Sequence, residues 1–328
     1  MSDRSAPASV SEVAAAAGKV LGSIASAVVG QREPVRLALA AMLAGGHVLI
    51  EDVPGLGKTL AARSLAQAVG LDFRRVQCTP DLLPADVTGS YVYEQGERRF
   101  AFHPGPIFTG LLLVDEINRT PPKTQSAFLE AMQERQVTVE GNTHDLPAPF
   151  HVLATANPIE YDGTYPLPEA QLDRFLLRLS FGYPEPDEEG AVLARRIARR
   201  QEEVSVPTVI DADELLRLQA GVEQVDVDPD VSSYCVRLAA ATREHRAVDV
   251  GASPRGSLAL VLVARALAVL AGRNYVVPED VKACAVSALG HRLTLRPETW
   301  ASGVSGQDVV TELLETVPTP AAAPSRED

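Results

Sequence analysis

The chain has 328 residues, and 43 acidic side chains against 30 basic ones give it a net charge of −13. With 46% hydrophobic residues it can build a core, which excludes a mainly disordered chain, and its acidic balance disfavours a nucleic-acid binder. Three widely spaced cysteines (Cys78, Cys235 and Cys284) exclude a disulfide framework and predict buried thiols in a reducing compartment, and the length predicts about two domains.

The ends and apolar runs carry no targeting signal. Residues 1–10 are small and polar, which predicts a disordered lead-in, and the Ala-rich stretch 13–29 lacks the basic flank of a signal peptide. The most apolar run, 258–271, contains Arg265 and is shorter than the ~20 residues that a membrane span needs. We therefore expect a cytoplasmic protein without a membrane span.

Short apolar runs alternate with helical patterns in the first half of the chain. This alternation predicts an α/β fold in which helices flank a parallel sheet. After the third strand, Thr120 as an N-cap and Pro121 at the first helical position predict the start of a helix. The predicted strands cover residues 47–51, 71–77, 111–115, 151–156 and 175–181.

The first strand runs into a glycine-rich loop before a helical pattern. Gly57-Lys58-Thr59 matches the end of the phosphate-binding pattern G-x-x-x-x-G-K-[ST], whereas Asp52, which we interpret as a turn residue, stands where the first glycine belongs. Gly55 and Gly57 would let backbone amides approach phosphates, Lys58 would contact the β- and γ-phosphates, and Thr59 would bind Mg²⁺. A chance match before a helix is the alternative, which the preceding strand disfavours.

Polar side chains end two of the following strands. Asp115 and Glu116 close the third strand, at the edge where open α/β sheets bind ligands. Asp115 would hold Mg²⁺, and Glu116 would orient or deprotonate the attacking water. Asn157 closes the fourth strand and could contact the γ-phosphate or the water. Alone, each pattern is an ordinary strand end or turn; together with Lys58 they predict ATP hydrolysis.

Two predicted hairpins and a change to mostly helical sequence patterns complete the predicted organisation of the chain. Alternating residues predict hairpins within 90–102 and 136–150, as functional loops or as plain structural ones. Beyond a Pro-rich acidic break at 183–187, nearly every segment is predicted to be helical. We therefore predict an α/β nucleotide-binding domain over 11–184, an all-α lid together with its linker over 185–316, and a disordered tail over 317–328.

Several longer segments, in this order, resemble the MoxR family of AAA+ ATPases, within the helix-2-insert group. The similarity extends from 28–31 to about residue 297, and it implies a P-loop NTPase sheet followed by a smaller all-α lid. The segments that carry it are residues 77–89 (QCTPDLLPADVTG), 115–126 (DEINRTPPKTQS), 130–137 (EAMQERQV), 167–175 (LPEAQLDRF) and 251–255 (GASPR).

The resemblance implies further roles. Asn157 takes the sensor-1 position, Arg174 the arginine finger that reaches a neighbouring subunit, and Arg255 the sensor-2 position at the start of a lid helix. Pattern alone would favour ordinary salt bridges for both arginines. Arg119 is a further candidate for an intersubunit contact. The residues implied to contact the nucleotide are Val29, Gly30 and Gln31 at the adenine, then Pro54, Gly55, Leu56, Gly57, Lys58, Thr59 and Leu60.

The resemblance also implies what the protein does. It predicts ATP and Mg²⁺ as cofactors, a homo-oligomeric ring with a hexamer as the expected count, and two hairpins that line the pore or face the substrate. The work done would be chaperone-like remodelling of a partner protein complex, with a von Willebrand factor A domain partner and metal insertion among the expectations.

Three other functions stay open. A magnesium-chelatase-like ATPase subunit would share the insert and the machinery. A nucleic-acid motor would have basic hairpins, whereas in 90–102 Glu94 and Glu97 balance Arg98 and Arg99. A nucleotide-dependent scaffold would bind ATP without turnover.

Overall fold

The structure is a computed structural model that describes residues 6–158, 164–201 and 203–320. Its strands are β1 (Val48–Glu51), β2 (Phe73–Gln77), β3 (Gly89–Glu94), β4 (Arg99–Pro104), β5 (Leu111–Asp115), β6 (Gln136–Val139), β7 (Asn142–Asp145), β8 (His151–Ala156), β9 (Leu177–Leu179), β10 (Val248–Val250) and β11 (Thr294–Leu295). Its helices are α1 (Val10–Ala25), α2 (Arg32–Leu43), α3 (Lys58–Ala68), α4 (Pro84–Thr88), α5 (Pro122–Glu134), α6 (Glu169–Leu172), α7 (Pro186–Arg199), α8 (Ala212–Val222), α9 (Pro229–Glu244), α10 (Pro254–Leu270), α11 (Pro278–Leu289), α12 (Pro297–Ala301) and α13 (Gly306–Thr316).

A five-stranded parallel sheet forms the centre of the first half, in the order β2-β5-β8-β1-β9. Its middle strands are covered on both faces, which explains why β5 and β8 are apolar almost throughout. The α/β class predicted from alternating strands and helices is therefore confirmed. All five strands share one direction, so the loops after β1, β5 and β8 meet at a single edge of the sheet.

Two antiparallel hairpins project from this sheet, β3–β4 and β6–β7. The rings of Phe102 and His144 stack with their centroids 3.8 Å apart, and the Tyr91 hydroxyl lies 3.3 Å from Nε2 of His144. The two hairpins are thus joined by aromatic contacts. Further out on the first hairpin, Tyr93 and Phe100 face each other and are exposed.

Helices α7–α13 follow the sheet, and α10 is the centre of this region. It contacts α9 and α11 and also α1 and α2, so one hydrophobic core extends from the sheet into the helical region. The three cysteines are buried, as predicted, and burial raises the pKa of Cys78 to about 11. Among the described residues, none of the helices has the length and apolar character to cross a membrane.

Local differences from the sequence-based expectations have physical causes. Residues 8–10 are ordered where we expected disorder: Ala8 is buried, and Ser9 forms a capping box with Glu12 at the start of α1. The helix expected after Thr120 begins at Pro122, because Thr120 is buried at the end of a 3-10 turn. Parts of the expected disordered segments, 1–5 and 321–328, lie outside the described residues.

Candidate nucleotide-binding site

The phosphate loop connects β1 to α3 at the carboxyl edge of the sheet. Gly55 and Gly57 have φ values of +88° and +81°, a region that residues with a Cβ rarely adopt. This backbone opens onto the N-terminus of α3, where unpaired amides and the helix dipole favour an anion. Lys58 begins the helix, and its Nζ donates to the carbonyl of Asp52 at 2.8 Å. Burial lowers the pKa of Lys58. The negative charges of Asp52, Asp115 and Glu116 raise that pKa and partly offset the effect of burial.

Asp115 is held by two neighbouring strands. Its Oδ1 accepts a hydrogen bond of 2.5 Å from the Thr155 hydroxyl on β8, and its Oδ2 lies 2.6 Å from Nη2 of Arg75 on β2. The Thr155 hydroxyl also accepts from the backbone N–H of Glu116 at 2.8 Å. Thr155 therefore fixes both acidic residues relative to each other, while Arg75 neutralises one of them.

Glu116 lies at the turn out of β5, with its backbone in the left-handed region at φ +59°. Its Oε2 forms an ion pair of 3.0 Å with Nη1 of Arg119. Arg119, expected as an intersubunit contact, thus engages the candidate base of its own chain. Asn157 is buried beside them, and its carbonyl accepts from Nδ2 of Asn118 at 3.3 Å.

The segment expected to contact adenine lies between α1 and α2. Val29 and Gly30 line a cavity of about 380 Å³, which α7 closes with Glu188. A Cβ on Gly30 would lie 2.7 Å from Oε2 of Glu188, so the acidic side chain sits directly over this glycine. Gln31 is buried, and its Nε2 donates to the carbonyl of Gly182 at 3.3 Å. Two of the three residues expected to contact adenine therefore line one cavity.

Asp52, the departure from the phosphate-loop pattern, is engaged through its whole carboxylate. Oδ2 accepts from the backbone N–H of Phe181 at 2.6 Å, from that of Gly182 at 2.9 Å and from the Ser180 hydroxyl at 3.2 Å. Oδ1 accepts from the N–H of Val53 at 3.0 Å. The interpretation of Asp52 as a turn residue thus missed its main contacts, which are with residues about 130 positions further along the chain.

Arg174 and Arg255 lie at the opposite edge of the sheet. Both line a cavity of about 280 Å³ with Gly46, the residue two positions before β1. The phosphate loop follows the other end of β1, whose four residues span roughly 13 Å. Arg135 and Arg292 also line this cavity, which makes it strongly cationic. The two expected arginines therefore share this cavity and lie away from the phosphate loop of their own chain.

A buried ion pair sets the geometry of this second cluster. Asp173 accepts from Nε of Arg292 at 2.8 Å and from the Ser253 hydroxyl at 3.0 Å. Ser253 is also the N-cap of α10, where it accepts from the N–H of Arg255. Asp173, the residue before Arg174, is thus joined to the start of the helix that bears Arg255. Nη1 of Arg174 donates to the carbonyl of Leu129 at 2.6 Å.

The structure brings together one set of expected residues and separates another. Lys58, Asp115, Glu116 and Asn157 meet at one edge, with the backbone of Thr59 in the first turn of α3. Sequence reasoning missed Thr155 and Arg75. A single hydroxyl inside the apolar strand β8 was a usable signal for Thr155, whereas nothing local marks Arg75.

The donor set at this edge fits Mg²⁺ in company with a nucleotide. Thr59 offers a hydroxyl and Asp115 a carboxylate, and Mg²⁺ is commonly bound by one or two such oxygens plus phosphates. The Asp115 carboxylate is oriented by Thr155 at 2.5 Å, which favours a fixed position for a ligand. Thr59 and Asp115 are therefore the residues that would hold the ion.

Comparison with known proteins agrees with this geometry. Residues 47–177 match the model "ATPase family associated with various cellular activities (AAA)", and residues 240–313 match the AAA lid domain. The chain is 48% identical to YeaC of Bacillus subtilis, covering 92% of this chain and 94% of that protein. The crystal structure of a candidate ATPase from Cytophaga hutchinsonii superposes with a TM-score of 0.88 at 38% identity, covering 95% and 97% of the two chains.

Two further relatives bear on whether the chain resembles a MoxR protein or a magnesium-chelatase subunit more extensively. The Magnesium-chelatase 38 kDa subunit of Acidiphilium rubrum is 32% identical, but the match covers only 60% of this chain and 57% of that protein. Chaperone MoxR1 of Mycobacterium tuberculosis is 43% identical, over 89% of this chain and 79% of that protein. With both AAA models matched in order, this chain belongs to the MoxR family of AAA+ ATPases.

Proposed function

We propose that the protein hydrolyses ATP at a site shared between two copies of the chain. The observation that carries this proposal is the separation of its charged groups. Lys58, Asp115 and Glu116 meet at the carboxyl edge of the sheet, and Arg174 and Arg255 meet at the amino edge. A neighbour that presents its arginine edge to the phosphate-loop edge completes the site.

Each group at the carboxyl edge has a definable task. The amides of the phosphate loop and Lys58 bind the phosphates, and the cavity under Glu188 takes the base. Glu116 accepts a proton from the attacking water, for which its carboxylate must leave Arg119, 3.0 Å away. Mg²⁺, when bound with ATP, neutralises charge on the phosphate oxygens. Asn157, buried at the same edge of the sheet, orients the water through its side-chain amide.

The amino edge provides cations for the neighbour's nucleotide. Arg174 is fixed through Nη1, whereas its buried Nε has no hydrogen-bond partner within the described residues. Such a group gains from a phosphate oxygen supplied by another copy, and arginine fingers accelerate other NTPases by 10³–10⁵-fold, as an order of magnitude. Arg255 is exposed beside it, which supports action in trans for this residue also.

This arrangement supports a closed ring. The surface that offers the arginines differs from the surface that receives them, so the contact is heterologous, the type of contact that builds rings when the rotation between copies closes. A hexamer is the count that we propose. The three buried thiols support a reducing compartment, for which we propose the cytoplasm.

The substrate that we propose is a protein complex, remodelled through the hairpins. Exposed Tyr93 and Phe100 on β3–β4 give this hairpin an apolar surface with balanced charge, which favours a polypeptide over a nucleic acid. The relative named Chaperone MoxR1 supports the same class of work. A von Willebrand factor A domain protein as partner, and metal insertion as the outcome, belong to this proposal.

Steady-state ATP turnover tests the site. The wild-type chain should release phosphate, and Lys58→Ala should abolish both turnover and binding of a fluorescent ATP analogue. Glu116→Gln should abolish turnover and retain binding, because the phosphate loop is intact. Undiminished turnover in both variants would contradict the assignment.

A further inference from the structure

Asp52 occupies a position where the phosphate-binding pattern has glycine, yet its side chain makes specific contacts. Three of the four groups that donate to its carboxylate belong to residues 180–182, at 2.6, 2.9 and 3.2 Å. This segment directly follows β9 and leads into α7, the first helix after the sheet. A glycine at position 52 would make none of these bonds. The departure from the pattern therefore links the phosphate loop to the segment that leads from the sheet into α7.

The contacts are of a strong kind. A carboxylate that accepts backbone N–H bonds forms charge-assisted hydrogen bonds, which are shorter and stronger than neutral ones. β9 is a three-residue edge strand paired with β1, and its pairing ends at Leu179. Beyond Leu179, where this strand pairing has ended, the backbone N–H groups of Phe181 and Gly182 donate to the Asp52 carboxylate.

Asp52 and Gly182 also contact residues of the proposed nucleotide site. The carbonyl of Asp52 accepts from Nζ of Lys58 at 2.8 Å, and the carbonyl of Gly182 accepts from Nε2 of Gln31 at 3.3 Å. Lys58 belongs to the phosphate region, and Gln31 to the segment beside the base cavity. A nucleotide that draws Lys58 towards its phosphates thus removes a bond from Asp52.

We propose that Asp52 is a positioning residue that transmits occupancy of the phosphate loop to helix α7 through residues 180–182. This inference rests on the proposed function, since it assumes that ATP is the ligand. When Lys58 turns to the phosphates, the loop at Asp52 shifts and carries the segment 180–182 with it. Helix α7 and Gln31 follow, because both are attached to that segment.

A purely structural tether would predict something different. One residue earlier, Oε2 of Glu51 pairs with Nη1 of Arg178 at 2.9 Å and joins the same two strands, β1 and β9. If Asp52 does no more than hold β9 against β1, loss of either link should have similar effects. Glu51→Gln is therefore the matched control, because it removes a β1–β9 link without touching residues 180–182.

Hydrogen exchange and kinetics on the full-length chain test the proposal. The variants are Asp52→Gly, which restores the glycine of the pattern, Asp52→Asn, which keeps the shape and one acceptor oxygen, and Glu51→Gln. Amide exchange in residues 180–188 is measured without nucleotide and with a non-hydrolysable ATP analogue. Binding of a fluorescent ATP analogue, KM and kcat are measured on the same samples.

The proposal expects a split between binding and turnover. In Asp52→Gly the dissociation constant should stay within about threefold, while kcat should fall by about tenfold or more. Exchange in 180–188 should rise about tenfold without nucleotide, and the response of this segment to ATP should disappear. Asp52→Asn should be intermediate, and Glu51→Gln should resemble the wild type.

Other outcomes would overturn it. Unchanged exchange and kcat in Asp52→Gly would show that the carboxylate transmits nothing. Equal effects in Glu51→Gln would reduce Asp52 to a strand tether, and loss of binding together with turnover would make it part of the phosphate loop alone. A wild-type chain that binds no ATP would contradict the proposed function, whereas exchange without nucleotide would still report whether Asp52 holds residues 180–182.

Discussion

The Arg75 guanidinium and the Asp115 carboxylate form an ion pair of 2.6 Å across β2 and β5. The residue that would hold Mg²⁺ is therefore already bound by a cation of its own chain. Because Arg75 is 46% exposed, the pair is screened by water and its contribution is modest. On the proposed function, Arg75 and the metal would compete for one carboxylate.

Removal of Arg75 should consequently make the site easier for Mg²⁺ to occupy. In Arg75→Gln the Mg²⁺ concentration at half-maximal binding of a fluorescent ATP analogue should fall about two- to fivefold, as an exposed ion pair permits. Arg74→Gln, on the neighbouring residue of β2, serves as the control. A higher Mg²⁺ requirement in Arg75→Gln would mean that this arginine assists the nucleotide instead of competing with the metal.

The Thr155 hydroxyl should matter for turnover more than for binding, because it orients both Asp115 and Glu116. We expect Thr155→Val to lower kcat about ten- to hundredfold with little change in KM, since small misplacements of catalytic groups are costly. Leaving the Glu116 amide unpaired should also cost ~1–3 kcal/mol of unfolding free energy.

Thr155→Ser keeps the hydroxyl and is the matched control for both measurements. It should retain most of kcat and show a smaller loss of stability in urea unfolding. If the serine and valine variants are equally slow, the methyl group and not the hydroxyl is what the site requires.

Local patterns predicted the elements of the sheet better than the contacts between them. β8 was predicted at its observed bounds, because an apolar run ends there at Asn157. β9 was expected over 175–181 but spans three residues, since Asp52 captures the backbone after Ser180. Thr155 acts on Asp115 through the register of two strands 40 residues apart in the chain, and no local pattern encodes that register.

The arrangement of the arginines could not be predicted for the same reason. Arg174 precedes an edge strand and Arg255 begins a helix of the lid, and they approach each other through Asp173 and Ser253. The sequence left open whether Arg255 acts within its own chain or on a neighbour. Its place beside Arg174, at the edge opposite the phosphate loop, supports the second alternative.

Stability should fall in mild acid because of a buried histidine. His151 is buried, and burial, its largest influence, lowers its pKa from 6.5 to about 4. The unfolded chain therefore binds a proton more readily than the folded one, so this contribution is complete above pH 6.5 and is lost as the pH falls towards 4. The expected loss is roughly 3 kcal/mol between these values.

Urea unfolding at several pH values checks this dependence. His151→Gln cannot take up the proton, so it should flatten the slope between pH 6.5 and 4, whereas His103→Gln, at an exposed position, should leave the slope unchanged. An unaltered slope in His151→Gln would mean that other groups carry the acid sensitivity. His47 and His291 are also buried with lowered pKa values, so part of the slope should persist.

The shared site is tested most directly by mixing two inactive variants. Lys58→Ala lacks a working phosphate loop and keeps Arg174, whereas Arg174→Ala has the reverse defect. In a mixture of subunits that exchange freely, about one quarter of the heterologous junctions pair an intact phosphate loop with an intact arginine. We predict that the mixture regains turnover, while each variant alone, and a mixture of Lys58→Ala with the double variant Lys58→Ala/Arg174→Ala, stay inactive. Full turnover by Arg174→Ala alone, or an inactive mixture despite demonstrated subunit exchange, would contradict a site built from two copies of the chain.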